Sequence, residues 1–443
     1  MTSKSPTPDH VPSLGFLSGI FYGWWVVFAS CVVMGYSSGI MVYSSTIFFR
    51  PVAQSLRVSR TLMSVAVSLG RVGGALEAPL VGYFIDRLGP RTPMRVGMAL
   101  AATGLILFGL FTNSLLTFFL TWTGMVTLGF GSMGFAPAWA AINNWFVRKK
   151  GKAMGIGMSS QGIGGAIIAP IMAYLIGIWG WQTAAVIAGI GVSVLVLPIT
   201  TLIRTRPEEM GLKPDGDTDN QPISERHEYE KDYETSKDHI LHANHSEVID
   251  FTTKQAIRTS TLWILILAMG IRQFTQAGIL LHLGPLLQDR GLSILQAGST
   301  VGLLAFMSIP GAFVCGWISD NFQRRYVMTA FVVAETLALI TLLTANATWQ
   351  LYLFVLVYGF GQGAHVLNRA MLGEYYGQKN YGKIWGVVAM TTTLLAWGQV
   401  YAGWIYDTTQ SYNVAITTFI FLQLAAVVFY FNCRKPIRPD INQ

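Results

Sequence analysis

The chain has 443 residues, 52% of them hydrophobic and only 12% charged, with a mean hydropathy of +0.46. A soluble globular domain carries charge on about a quarter of its residues, so this composition excludes one and points to a protein built in lipid. The formal net charge of +8 sits mainly in short loops between apolar runs. Its natural counterpart there is anionic lipid headgroups, not nucleic acid.

Residues 1 to 15 are polar, and the apolar run that follows is longer than a signal-peptide core and has no small-residue cleavage site. It is expected to stay in place as the first helix. Apolar runs then recur near 22 to 49, 61 to 83, 93 to 111, 115 to 142, 153 to 178, 183 to 203, 262 to 287, 293 to 318, 327 to 345, 349 to 371, 384 to 406 and 413 to 432. Each is long enough to cross a hydrocarbon core about 30 Å thick as a helix. Lipid offers no partner for bare backbone N–H and C=O groups, and the alternation expected of barrel strands is absent, so the runs read as helices. The predicted fold class is an all-α membrane protein of twelve transmembrane helices. Its 46 glycines suit close helix contacts.

Lys and Arg accumulate in alternate short loops. Arg87, Arg91 and Arg95 follow the second run, and Arg148, Lys149, Lys150 and Lys152 the fourth. Arg324 and Arg325 follow the eighth, and Lys379 and Lys383 the tenth. Arg50, Arg57, Arg60 and Arg290 fall on the other side, too few to reverse the bias. By the positive-inside rule both termini are predicted to be cytoplasmic, in a multi-pass protein of the cell membrane.

Residues 204 to 261 interrupt the pattern with a polar segment in which acids outnumber bases, dividing the chain into six-helix halves at 1 to 203 and 262 to 443. Within it "HILHANH" spaces His239, His242 and His245 by threes, which fits either a metal site or solvated side chains of a linker. The plainer reading predicts no metal. Cys31 and Cys315 fall in predicted spans and Cys433 near the end, so no disulfide framework, zinc site or redox site is predicted. No cofactor is indicated, and no nucleophile or acid/base pair suggests an enzyme.

The halves are related. "GYFIDRLGPR" (82 to 91) follows the second run and "GWISDNFQRR" (316 to 325) the eighth; "GKAMG" (151 to 155) opens the fifth and "GKIWG" (382 to 386) the eleventh. Duplicated six-helix halves with a site between them are a recurring transporter architecture.

"GYFIDRLGPR" resembles the signature loop between helices two and three of the major facilitator superfamily, and the resemblance covers essentially the whole chain. In the second copy Asn321 replaces the Arg after Asp320, and Gln323 replaces the second Gly. Asp86 at a helix end can pair with loop arginines or a neighbouring helix N-terminus in one conformation only. Asp86, Arg87 and Arg91, with Asp320, Arg324 and Arg325, are therefore expected to form a conformational latch, the alternative being simple loop electrostatics.

"RPEEMGLKPDGD" (206 to 217) and "WFVRKKGKAMG" (145 to 155) resemble the branch that holds oxalate/formate exchangers and monocarboxylate transporters. That resemblance implies small carboxylates moved by exchange or with a proton. Two departures are visible. The exchangers have an Arg on helix eight and a Lys on helix eleven, whereas 293 to 318 and 384 to 433 contain neither residue type. The Asp and Arg that animal monocarboxylate transporters share on helix eight are also missing.

The chain offers other polar groups. Arg272 lies near the middle of the seventh run, where an ionised side chain costs several kcal/mol unless it meets a partner or a wet cavity. Gln276 follows on the same helical face. Tyr358, Gln362, His365 and Arg369 form one stripe on the tenth run, with Asn368 beside it. Arg71, with Ser64 and Ser68, makes a similar stripe on the second run. The superfamily resemblance places helices one, four, seven and ten around the cavity, which adds Tyr36 and Tyr43 as candidate cargo contacts.

Each candidate has a plainer reading. Arg272 can pair with a buried acid, Glu335 or Glu77; Arg71 can be a structural cation; the tyrosines can simply pack. Arg369, nearer the cytoplasmic end, can belong to the latch or snorkel. His365, Glu335 and Glu77 are the proton-coupling candidates, and His365 can equally be a satisfied neutral imidazole.

The expected cavity helices carry basic groups at 272 and 369 and no interior acid, so the expected function is a secondary carrier of a small organic anion, most simply a monocarboxylate. The expected partners are that anion, protons or a counter-anion, and membrane lipids. No Walker motif is present, so a gradient must drive it. The rival within transport is proton-driven export of neutral or cationic drugs through Glu77 or Glu335. A rival of another class is a non-transporting receptor, suggested only by the central segment.

Overall fold

The computed structural model describes residues 21–216, 250–377 and 379–436. His239, His242 and His245 lie outside the described residues.

Helices α1 (Gly23–Leu56), α2 (Arg60–Leu88), α3 (Arg91–Phe111) and α4 (Leu115–Trp145) open the first half. One helical run, Lys150–Leu202, supplies both α5 (150–179) and α6 (181–202), because the chain turns at Gly180. There φ is +79°, a conformation glycine reaches without the cost of a Cβ.

The second half begins with a short helix, Thr253–Arg258, and continues through α7 (Ser260–Asp289), α8 (Ile294–Asn321) and α9 (Arg324–Leu343). Next come α10 (348–376), α11 (381–409) and α12 (Asn413–Asn432). Side-chain hydroxyls of Ser59, Thr259 and Ser293 accept first-turn N–H groups of α2, α7 and α8 and so fix where those helices start.

Nine helices among the described residues are long and apolar enough to span a membrane without a break. The twelve-span architecture is complete because α5 and α6 share one of these, while α10 and α11 are each interrupted. The sequence reading treats both as continuous. In the structure α10 is Thr348–Gln362 followed by His365–Tyr376, and α11 is Tyr381–Leu395 followed by Gly398–Thr409. The α10 break rests on Gly363, where a Cβ would lie 2.1 Å from the backbone nitrogen of Ala312 on α8. Only glycine lets the two backbones come that close.

The halves face each other along α5 against α8 and along α2 against α11. Large aliphatic and aromatic side chains also point outward around the bundle, among them Leu76, Trp317 and Phe421, as lipid-facing surfaces require.

Candidate functional site

Between the halves lies a cavity of about 1660 Å³. From the first half it is walled by Phe135 and Trp139 of α4 and Gln161 of α5, and from the second by Arg272 and Gln273 of α7 and His365, Asn368 and Arg369 of α10. Its mouth is rimmed by Arg324, Tyr381 and Lys435, on the face that carries the basic loops.

The opposite face is closed by contacts between the halves. Arg60 of α2 gives hydrogen bonds to Asp289 Oδ2 at 2.8 Å and to the Tyr412 hydroxyl at 2.6 Å, and its guanidinium lies 3.5 Å from the centre of the Tyr406 ring. Arg50 of α1 joins Asp289 at 3.3 Å. Asp407 of α11 accepts from the backbone N–H groups of Arg60 and Thr61 and from the Thr61 hydroxyl. Deeper in, the Gly284 N–H donates to Thr46 Oγ1 at 2.6 Å, and Gln399 Nε2 donates to Ser68 Oγ at 2.6 Å. The fully buried His282 ring touches Ser64, Tyr412 and the Gln399 carbonyl. The structure is therefore open on one face only.

Arg272 is in contact with Glu335 of α9. Its Nε donates to Glu335 Oε2 at 3.0 Å and its Nη2 to Oε1 at 2.6 Å, with a further bond from Nη2 to the Gly361 carbonyl at 3.1 Å. Glu335, wholly buried, also accepts from Gln423 at 3.2 Å. A two-bond guanidinium–carboxylate pair is what makes two such charges tolerable in an apolar interior. Of the readings open for Arg272, the structural ion pair is the one observed, and the carboxylate is Glu335 rather than Glu77. The Arg272 side chain still borders the cavity, and its Nη1 is buried without a hydrogen-bond partner.

The predicted stripe on α10 is divided by the break at Gly363. Tyr358 and Gln362, before the break, are buried in the second half, Tyr358 stacked on Phe354 at 5.2 Å. His365 and Arg369, after it, are exposed to the cavity. Gln276 joins the two parts, donating to Gln362 Oε1 and accepting from His365 Nε2 at 2.8 Å. Asn368 lines the cavity and accepts from the Tyr430 hydroxyl at 3.0 Å.

Eight candidates are not among the lining residues in this conformation: Gln276, Tyr358, Gln362 and Glu335, placed above, and Tyr36, Tyr43, Arg71 and Glu77. Tyr36 donates to the Ala188 carbonyl of α6 at 2.7 Å, and Tyr43 packs on Gly165 of α5. Both are spent on packing within or beside the first half. Arg71 of α2 shares the face bearing Ser64 and Ser68, which is used against α11 and His282, and Glu77 lies on another side of that helix.

Of the latch residues, Arg324 pairs with Glu374 at 3.1 Å and donates to the Ala370 carbonyl at 3.0 Å, so it ties α9 to α10. Arg325 bonds to Gln323 and Tyr326, and Arg87 stacks on Tyr83 at 4.8 Å. Asp86 and Asp320 are exposed, and neither makes an ion pair among the described residues.

Charge on the cavity wall is unequal. Arg272 is neutralised by Glu335 and Arg324 by Glu374. Arg369 has its guanidinium 5.2 Å from the centre of the Trp385 ring and no ion pair among the described residues, and Lys435 adds a second such cation. No cluster of three or more metal-ligating side chains occurs among the described residues.

The sequence reading missed His282, Asp289, Asp407 and Tyr412. Two signals were available: an imidazole inside an apolar run, and Arg60 standing on the wrong side of the charge bias.

The profile of the Major Facilitator Superfamily matches residues 27–398 and 275–440. The chain belongs to the Major Facilitator Superfamily. This superfamily member is 27% identical to monocarboxylate transporter 12 of Rattus norvegicus, over 89% of its own length and 82% of the relative's. It is 26% identical to the oxalate:formate antiporter of Oxalobacter formigenes, over 94% of each chain. Among solved structures it is similar to a bacterial homologue of the human lysosomal transporter Spinster in an inward-facing, unoccupied conformation. The TM-score is 0.69 at 15% identity, covering 93% of this chain and 97% of that one. The D-xylose-proton symporter follows at a TM-score of 0.68 and 12% identity. At those identities the likeness is one of fold. The family and its named relatives are transporters, and the chain has the multi-pass membrane transporter fold of that superfamily.

Proposed function

We propose that this transporter is a secondary carrier of a small organic anion, most simply a monocarboxylate, working by alternating access with both termini cytoplasmic. The observation that carries the reading is Arg369, a guanidinium on the cavity wall beside Trp385 with no ion pair among the described residues. A carboxylate entering from the open face would complete its charge, through parallel hydrogen bonds that low-dielectric surroundings strengthen. His365 and Asn368 lie on the same wall as further contacts, Gln276 holds His365 in place, and Tyr381 and Trp385 give an aromatic boundary. The names of the relatives, monocarboxylate and oxalate:formate transporters, support the same class of cargo.

Arg272 and Glu335 then act in coupling. If the anion reaches Arg272 through its unpartnered Nη1 and weakens the bond to Glu335, the released carboxylate takes up a proton, and anion and proton travel together. Without that displacement the carrier exchanges one anion for another. A drug-export mechanism would need an acid free in the cavity, and the acid among the lining residues, Glu374, is held by Arg324.

The test is flux of labelled formate, acetate, lactate, pyruvate and oxalate into proteoliposomes. Arg369→Gln is expected to raise the KM for the transported carboxylate about tenfold or more, the loss of a charge-assisted hydrogen bond. Arg369→Lys is expected to recover only part, because an ammonium lacks the planar fork. Wild-type carboxylate flux in Arg369→Gln would overturn the assignment.

A further inference from the structure

The closed face contains a buried imidazole that neither the family likeness nor the proposed cargo site uses. His282 of α7 stands where both halves meet, and its hydrogen bonds can be given directions from chemistry alone. Its Nε2 lies 2.8 Å from the Gln399 carbonyl, which can only accept, so Nε2 carries a hydrogen. Ser64 Oγ, 3.0 Å from the same nitrogen, donates its own hydrogen to the Arg60 carbonyl and is therefore a second acceptor. On the other side Nδ1 lies 2.9 Å from the Tyr412 hydroxyl. That hydroxyl already accepts from Arg60 Nη1, a group that can only donate, and so has its hydrogen free for Nδ1. The chain runs Arg60 to Tyr412 to His282 to Gln399, and it closes only if Nδ1 is bare.

We propose that His282 is a proton-binding site that controls the closed face: neutral, it locks the halves together, and protonated, it releases them. A proton on Nδ1 would set two donors against each other at Tyr412 and place an imidazolium in the field of the Arg60 guanidinium. Water reaches the ring only when this face opens, so the open form is the one that holds the proton, and acid shifts the equilibrium toward it.

The titratable and charged groups around His282 are accounted for on every packed element. From α2 comes Arg60, from α11 Asp407 and Tyr406, from the residue that precedes α12 Tyr412 and on α7 itself Asp289, while α1 presents the Phe49 ring at 4.9 Å with Arg50 turned to Asp289. Asp289 is engaged by Arg60, and Asp407 by the start of α2. The proposal does not depend on which cargo is carried.

Spin labels at Ser55→Cys and Leu295→Cys, exposed positions on the two sides of this face, report opening by their separation in the full chain lacking its three native cysteines. With no cargo present, lowering the pH from about 8 to about 5 is expected to move the pair to the longer separation. The open-to-closed ratio should rise by up to about tenfold per pH unit, as one proton dictates. His282→Gln, which keeps a donor and an acceptor but does not titrate, is expected to abolish the response. Tyr412→Phe removes the hydroxyl that fills Nδ1 and is expected to raise the open population already at about pH 8. A wild-type pair indifferent to pH, a His282→Gln pair that responds as wild type does, or an unchanged distribution in Tyr412→Phe would each overturn the proposal.

Discussion

Arg272 and Glu335 satisfy each other through two hydrogen bonds of 3.0 and 2.6 Å, with Glu335 wholly buried and Arg272 almost so, at the wall of the cavity between the halves. The positive charge in the middle of α7 is thus balanced within the protein, and the unbalanced cation on α10, Arg369, becomes the stronger point of attraction for an anion.

Removing one partner strands the other. Arg272→Leu or Glu335→Leu alone is expected to cost about 3–5 kcal/mol of stability, the penalty of an uncompensated buried charge. The double variant Arg272→Met, Glu335→Leu is expected to recover most of that while leaving proton-coupled flux abolished. Thermal unfolding in detergent beside flux in proteoliposomes separates the two effects. Coupled flux in the folded double variant would refute a role in coupling.

Arg60 gathers Asp289, Tyr406 and Tyr412 on the closed face. Arg60→Ala is expected to raise labelling of a cysteine at Ser68 from that face several-fold, because the Asp289 and Tyr412 contacts lose their common donor. Equal labelling in Arg60→Ala and wild type would show that the apolar contacts alone hold the face shut.

The segment after α6 clasps its own half. Asp215 accepts from the backbone N–H groups of Val147, Arg148 and Lys149 at 3.0, 2.8 and 3.0 Å, at the entry to α5. Burial works against its ionisation, but the three N–H donors prevail and hold the carboxyl below its ordinary value. A depressed folded-state pKa adds stability that is present above the ordinary carboxylate pKa of about 4 and is lost as the pH falls through the folded value. Asp215→Ala is accordingly expected to lower stability by ~1 kcal/mol at neutral pH. Melting temperatures of the two proteins should converge in acid, and a gap that does not close would mean the carboxylate charge is not what matters.

Gly363→Ala tests the break in α10. The added carbon would press on the α8 backbone at Ala312 and displace the turn whose Gly361 carbonyl accepts from Arg272. A loss of about 1–3 kcal/mol is expected, together with reduced flux. Unchanged melting and flux would show that α8 can yield.

Much of the cavity wall is legible in the sequence. Arg272, His365, Asn368 and Arg369 are conspicuous as polar groups in oily runs, and all border the cavity. Tyr358 and Gln362 share a helical stripe with them in sequence, but a broken helix does not keep one stripe on one side. Helix number alone points Tyr36 and Tyr43 inward, yet their rings are used in packing.

Hydrophobic length, the doubled signature loops and the distribution of Lys and Arg determined twelve spans in two halves, because lipid enforces helices and loops take the charge. Which guanidinium is neutralised, which face is shut and what closes it were decided only in three dimensions. Glu335 lies 63 residues from Arg272, and Tyr412 lies 130 from His282. Neither separation has a period that one helix can express; helices packed side by side bring such residues together, and a one-dimensional pattern does not contain that packing.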